Sequence, residues 1–152
     1  MGQILAFAIV AGVFVLSMLA FQKASEQASD RVVQIRADST AARIASVIVQ
    51  SGLIMEEQGS SVRVRFLIDL PQEIERRDYE VELHVPAAGE TATVVVTVPS
   101  RDITATAPLM AIEASSGITV CPGTVPGGHM YARYGEPAGS PGNPCLFLEA
   151  AP

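Results

Sequence analysis

The residues able to form covalent or metal bonds are few and lie mostly near the C-terminus. Cys121 and Cys145 flank a Gly/Pro-rich segment that contains His129. Tetrahedral zinc takes four ligands, so two cysteines and one histidine make a poor metal site. A disulfide fits better than two free thiols, and closing a loop of about 25 residues would contribute about 3 kcal/mol. A disulfide indicates an oxidising, extracellular setting or a thermophilic interior. The sequence leaves open whether it forms within one chain or between two.

No arrangement of residues typical of an enzyme is present. The sequence contains neither a Gly-x-Ser-x-Gly motif, which would activate a serine, nor a phosphate-binding Gly-rich loop followed by Lys-Ser/Thr. His84 alternates with Glu80 and Glu82, which predicts an exposed histidine, and His129 is expected to have a structural or contact role. We therefore expect a protein that is not an enzyme and that needs no cofactor or metal.

Composition limits the classes of partner. The 152 residues carry a net charge of −6, and ten basic residues are scattered along the chain. A nucleic-acid-binding surface needs a basic patch, so nucleic acid is not an expected partner. Hydrophobic residues make up 49%, yet aromatic residues are only 5% and Trp is absent. The core is therefore expected to be aliphatic.

The dominant feature is an uncharged apolar run from Ile4 to Phe21, broken only by Gly12 and Ser17. As a helix it would span roughly 27 Å, close to the thickness of a bilayer's hydrocarbon core. Apolar residues lie all round it, so it must be covered by lipid or by other protein. The side chains expected to form this oligomerisation core are those of Ile4, Leu5, Phe7, Ile9, Val10, Val13, Phe14, Leu16, Leu19 and Phe21.

A cleaved signal peptide is the alternative reading of this run. Signal peptides begin with a basic segment, but here the first positive charge, Lys23, follows the run, which is also longer than a usual signal core. Because Lys and Arg orient insertion, their absence at the start predicts a sequence close to a mature form. An initiator Met1 followed by a leaderless anchor is the other possibility.

The helical pattern continues beyond the apolar run. No Pro occurs before position 58, which predicts one helix from about Gln3 to about Glu57, roughly 80 Å long. Its first third is apolar all round, and its remainder should be amphipathic, with charged residues on the other faces as a solvated surface or as ion pairs between subunits. The expected apolar stripe consists of Ala24, Ala28, Val32, Ile35, Ala42, Ala45 and Val49.

The remainder reads as short strands separated by Gly and Pro. Period-two alternation predicts strands over Val62–Ile68, Tyr79–Val85 and Thr91–Val98. Six to eight such strands indicate a small β-sandwich. The segment from Cys121 to Cys145 is expected to be a loop-rich excursion pinned by the disulfide. Shorter candidate strands lie near Ile103 and over Leu109–Glu113, Ile118–Val120, His129–Tyr134 and Leu146–Glu149.

The predicted fold class is therefore α+β, a long N-terminal hydrophobic helix followed by a small antiparallel β-sandwich head. The domains expected are the helix, residues 1–57, with 1–22 as the membrane or filament-core segment, and the head, residues 58–152.

This order of elements resembles the type IV pilin superfamily, most of all its archaeal branch of adhesive pilins and archaellins. The resemblance covers the whole chain and is most specific over Met1–Gln50, with Ile68–Pro71 leading into Tyr79–Leu83 as a second similarity. Many pilins carry Glu at mature position five, where this chain has Leu5; archaeal members often lack that acid.

The resemblance implies a structural subunit that polymerises into an extracellular pilus-like filament for adhesion, with motility as a further possibility. It also implies processing by a prepilin peptidase, contact with pilus assembly machinery, and insertion in the cytoplasmic membrane before assembly. The alternative is a membrane-anchored accessory protein whose β-domain binds a cell-surface partner without polymerising.

Overall fold

The computed structural model describes residues 2–58, 65–85, 91–109, 119–136 and 144–151. In these residues one helix precedes seven strands. The predicted α+β class is confirmed. The elements are α1 (Gly2–Gln58), β1 (Arg65–Ile68), β2 (Glu80–His84), β3 (Thr93–Val98), β4 (Ile103–Pro108), β5 (Gly123–Pro126), β6 (Met130–Gly135) and β7 (Cys145–Ala150), with a short 3₁₀ turn at Pro99–Arg101 between β3 and β4.

The strands form two antiparallel sheets. One has three strands in the order β1-β6-β7, and the other has four in the order β4-β3-β2-β5. Side chains alternate between the two faces of each strand because the period of a strand is two residues. In β3, for example, Val94, Val96 and Val98 are fully buried while the residues between them are half-buried. The inner faces share one aliphatic core, as the composition predicts.

The chain divides into two compact units, Met1–Val32 and Val33–Pro152. The second half of α1 therefore belongs to the same unit as the sheets. Within that unit, Gln34 Nε2 donates a hydrogen bond to the carbonyl oxygen of Thr104 on edge strand β4, at 3.4 Å. The helix residues that are fully buried there are Val33, Ala37, Ala41, Ile44 and Ile48.

These buried residues differ from the apolar stripe that the sequence predicts. Val32 and Ile35 remain 45% and 67% exposed, and Ala42 is also exposed. Only Ala45 is buried, and Val49 is half-buried. Small and apolar residues occupy two sides of the helix between 28 and 48, so spacing by threes and fours cannot tell which side the head covers.

The C-terminal region contains more strand than expected. The segment from Cys121 to Cys145 holds β5 and β6. The candidate strand His129–Tyr134 is confirmed by β6, whereas the expectation of a loop is wrong for β5. β5 pairs with β2 through Gly123–Pro126, a Gly/Pro-bounded stretch that sequence reasoning assigned to loop. Val120 forms an isolated parallel bridge with Leu146. Residues 62–64 and 110–118, which include parts of three predicted strands, lie outside the described residues.

The disulfide between Cys121 and Cys145 forms within one chain. Cys121 precedes β5 of the four-stranded sheet, and Cys145 begins β7 of the three-stranded sheet. Two backbone hydrogen bonds accompany it: Cys121 N–H donates to Leu146 O, and Leu146 N–H donates to Thr119 O, both at 2.9 Å. The bond therefore links the two sheets, and its closed loop restricts the unfolded chain.

Tyr79 connects three segments of the head. Its side chain is buried, and its hydroxyl donates to the carbonyl oxygen of Pro71 at 2.7 Å and accepts from the N–H of Gly128 at 3.3 Å. Gly127 N–H donates to the Tyr79 carbonyl oxygen at 2.7 Å. A Cβ on Gly127 would lie within 2.6 Å of ring atoms of Tyr79. This position therefore requires glycine because the ring approaches the backbone closely.

Replacing Gly127 with alanine should destabilise the head. The added methyl group must displace a buried ring that two hydrogen bonds hold, and overpacking of this kind costs about 1–3 kcal/mol. Gly123→Ala is the matched control, because a Cβ there meets nothing within 4 Å. Urea denaturation of the detergent-solubilised chain, followed by circular dichroism of the sheets, measures both. Equal stability of the two variants would contradict the contact.

The stability of the head should fall at alkaline pH through Tyr79. Burial raises the pKa of Tyr79 above its ordinary value of 10.0, and the Gly128 N–H lowers it by less. A raised folded-state pKa means that the stability is complete below about pH 10 and is lost as the pH rises through the folded pKa. Tyr79→Phe should lower stability at pH 7 by about 1–3 kcal/mol.

The same variant should flatten the dependence of unfolding free energy on pH above 10. Urea midpoints of wild type and Tyr79→Phe at pH 7, 9.5 and 11 provide the measurement. Parallel losses in the two proteins between pH 9.5 and 11 would show that other groups cause the alkaline transition.

Candidate functional site: an uncovered apolar helix surface

The first compact unit exposes nearly all of its large apolar side chains. Every large apolar residue between positions 7 and 21 of α1 is more than half exposed, from 55% at Val15 to 76% at Phe7. Burying one such side chain is worth about 1.5–3 kcal/mol, so the set represents on the order of 10 kcal/mol or more in water. This surface therefore requires a non-aqueous cover. Of the predicted core residues, Phe7, Ile9, Val10, Val13, Phe14, Leu16, Leu19 and Phe21 are exposed in this way. Ile4 and Leu5 lie in the helix, but their side chains are outside the described part.

The helix is long and apolar enough to cross a bilayer. Between Phe7 and Gly52 it contains an 18-residue window with the hydropathy of a membrane span, and none of that window is buried. Length and composition alone carry this assignment, and a signal sequence near an N-terminus meets the same criterion. Lipid is thus one possible cover for the first unit.

In the second unit a further apolar and small-residue surface remains uncovered. Ile35, Ser39, Ala42 and Ser46 are all exposed, whereas the head covers the side of the helix that carries Val33–Ile48. At 100° per residue, Ile35 and Ala42 lie more than 100° from the centre of that buried stripe. The head therefore does not cover this side of the helix.

A subset of the uncovered residues follows a heptad repeat. Beginning at Phe7, uncharged residues alternate at intervals of four and three up to Ser46. Such a 3.5-residue period is typical of helices that pack against another helix, because it keeps one seam facing the partner. We call this set the heptad seam. It consists of Phe7, Ala11, Phe14, Met18, Phe21, Ser25, Ala28, Val32, Ile35, Ser39, Ala42 and Ser46, all of them exposed.

Charged residues of the helix avoid the seam. Seven charges occur between positions 23 and 43, and all of them fall at other heptad positions. The predicted core residues Phe7, Phe14 and Phe21 belong to the seam, spaced seven apart. Sequence reasoning found the apolar run but missed this repeat, although three of the five phenylalanines of the chain mark it.

The polar groups of the head form separate surface pairs in the part of the chain that the structure describes. No three His, Cys, Asp or Glu side chains there could hold a metal ion. His129 Nδ1 lies 2.8 Å from Asp69 Oδ1, and His84 Nδ1 lies 3.8 Å from Glu82 Oε1, with all four side chains about half exposed or more. These are surface pairs, and the predicted exposure of His84 is confirmed.

A groove of about 270 Å³ lies between α1 and the loop after β1. It is lined by two arginines and two hydroxyl residues of the helix and by two glutamates of the loop, and Arg36 Nε is 3.7 Å from Glu75 Oε1 across it. Neither histidine of the described residues lines it. Its hydroxyl groups therefore have no neighbouring imidazole base, and the groove offers opposite charges that hold the loop to the helix. The uncovered helix surface remains the strongest candidate site.

No protein-family model, curated protein or solved structure matches this chain. The interpretation of the helix surface therefore depends on its own residues and their physical requirements.

Proposed function

We propose that this protein is a structural subunit that polymerises through its N-terminal helix into an extracellular filament of the type IV pilus kind. Before assembly the apolar part of the helix is inserted in the cytoplasmic membrane. In the filament the helices of neighbouring copies cover it, so that it passes from lipid to protein without entering water. The sheets then form the outer layer, where a surface of net negative charge meets the environment and supports attachment.

The observation that carries this proposal is the length of the uncovered surface. From Phe7 to Ile35 the seam extends over 29 residues, whereas a helix that spans a bilayer needs only about 20. Lipid alone cannot cover Phe7 and Ile35 together in a helix that crosses the bilayer near its normal. A partner helix with the same heptad spacing covers both, and a second copy of this chain supplies one.

The alternative, a membrane-anchored accessory protein that does not polymerise, is supported by the membrane-span criterion for the first unit. It leaves Val32 and Ile35 without a cover. Electron microscopy of material sheared from the cell surface separates the two functions, because a tethered monomer yields no fibres. Mass spectrometry of such fibres identifies the subunit and its N-terminus.

A charge within the apolar run should abolish filaments. Val13→Asp places a carboxylate on a surface that must be covered by lipid or by helices, where a central aspartate costs about 2.5–3.5 kcal/mol even for insertion. Val13→Leu is the matched control and should assemble normally. Negative-stain microscopy and the sedimenting fraction of surface material measure the effect. Normal fibres from Val13→Asp would contradict the proposal.

A charge farther along the seam should separate anchoring from assembly. Ile35→Lys lies outside the apolar run, so the subunit should remain in the membrane fraction while the sheared, sedimenting fraction falls at least tenfold. The reason is that the lysine must be buried or displaced where two helices pack. Ser29→Lys, at an exposed position off the seam, is the control. Equal filament yields from Ile35→Lys and Ser29→Lys would exclude the seam as the contact.

A further inference from the structure

The outer face of the three-stranded sheet carries arginine and aromatic residues. Across β1, β6 and β7, strand register places Arg65 opposite Arg133 and Arg133 opposite Phe147, and the next row runs Leu67, Tyr131, Glu149. We call this set the arginine–aromatic face. Tyr, Phe and Arg are the residue types enriched in protein interfaces. Leu67 is 56% exposed on it.

Two arginines opposite each other on one sheet face repel. Neighbouring side chains on the same face offset this repulsion. The Arg65 guanidinium stacks 3.5 Å from the centroid of the Tyr131 ring. Arg133 Nη1 lies 3.2 Å from Glu149 Oε2. Both arginines are thereby held over the sheet, and the face keeps a charge of +1 in a chain whose net charge is −6. It is a local positive surface with apolar area beside it.

The outer face of the four-stranded sheet has the opposite character. Its rows run Thr104, Thr97, Glu80, Pro126 and Thr106, Val95, Glu82, Thr124, with Thr93 and His84 beyond. We call this set the threonine–glutamate face. Glu80 and Glu82 are exposed, and no lysine or arginine stands at these strand positions. Threonine methyl groups and Val95 supply apolar area next to two carboxylates.

Both faces are turned away from the core that the inner faces of the sheets share. If two copies paired through the same face, like charges would meet. The arginine–aromatic face and the threonine–glutamate face carry opposite charges and are therefore complementary. A contact between one face on one copy and the other face on the next copy is heterologous. Such contacts extend into open chains rather than closing into a two-fold dimer.

We propose that the arginine–aromatic face of one head binds the threonine–glutamate face of a neighbouring copy, with Arg65 and Arg133 approaching Glu80 and Glu82. This contact rests on the proposed filament and names the part of the head that holds neighbouring subunits together. Complementary charge and apolar area on opposite sides of one head identify the occupant as a second copy.

Charge reversal and its rescue test the contact in full-length filaments. Arg65→Glu places a glutamate opposite Arg133, a favourable cross-strand pair, so the head itself should fold. Glu82→Arg changes an exposed residue of β2. Each single variant should raise the ratio of released to sedimenting subunit about fivefold near the wild-type dissociation midpoint in detergent, because one attraction becomes a repulsion. The double variant should return the ratio to near the wild-type value.

Glu136→Arg, an equal change of charge at an exposed position outside both faces, is the control and should behave as wild type. Ratios for Arg65→Glu and Glu82→Arg that match this control overturn the head contact while leaving the filament intact. Loss without rescue in the double variant also overturns it. Wild-type material that never sediments overturns both the contact and the proposed function. Polygalacturonate, an acidic glycan, tests a different occupant of the arginine–aromatic face. If Arg65→Glu filaments dissociate as wild type but are no longer retained on polygalacturonate, the face binds an acidic glycan and the proposal is overturned.

Discussion

The constraint on which this structure depends is that one helix is apolar on more sides than its own chain can cover. Each strand of the head has one inward and one outward face, and the inward faces satisfy one another in a shared core. The apolar sides of helix α1 are not all packed in this way. Its second half gives one side to the head through Val33, Ala37, Ile44 and Ile48, while the large apolar side chains of its first half from Phe7 to Phe21 are all more than half exposed. The free energy of this uncovered surface is large enough to determine where the protein resides and what it contacts.

The contacts that stabilise the head lie outside that surface. Its core is aliphatic, the Cys121–Cys145 bond links the two sheets, and the buried Tyr79 hydroxyl joins the loop after β1 to the turn before β6. The contacts are local to the unit Val33–Pro152. A subunit stored in a membrane must keep its head folded before any neighbour arrives, so the independence of this core suits the proposed pathway from membrane to filament.

The sequence predicted the fold class because its periodicities are strong. The uncharged run from Ile4 to Phe21 and the Val-rich alternation in β3 each allow one interpretation. The prediction from sequence failed where one residue pattern is compatible with two structures. Small and apolar residues lie on both sides of α1 between 28 and 48, so the covered side is decided by the position of the head and not by local spacing. β5 was missed because Gly123 and Pro126 are turn formers, and only pairing with β2 makes the segment a strand.

The candidate site also has features that local sequence predicts and features that depend on strand register. The need of the apolar run for a cover follows from its composition, because apolar residues lie all round it. The two outer faces of the head were not predictable, because they depend on the register that brings Arg65 beside Arg133 and Glu80 beside Thr97. No sequence pattern within β1 or β6 alone predicts that their outward residues form one surface.

The residues of the heptad seam change in size along the helix, and the change fits a transfer from lipid to protein. Phenylalanine and methionine occupy most of the seam up to Phe21, where the proposed partner helix must replace lipid contacts of large area. From Ser25 onward alanine and serine predominate, with only Val32 and Ile35 larger. Small residues let helix backbones approach closely and gain dispersion contacts that do not require a hydrophobic driving force. In the proposed filament, a uniformly large seam would hold the charged flanks of neighbouring helices apart, whereas small residues would let charged residues such as Lys23 and Glu26 of adjacent copies approach one another. In the proposed filament the seam would thus combine apolar contacts along its large residues with polar contacts beside its small residues, where the bilayer no longer supplies cover.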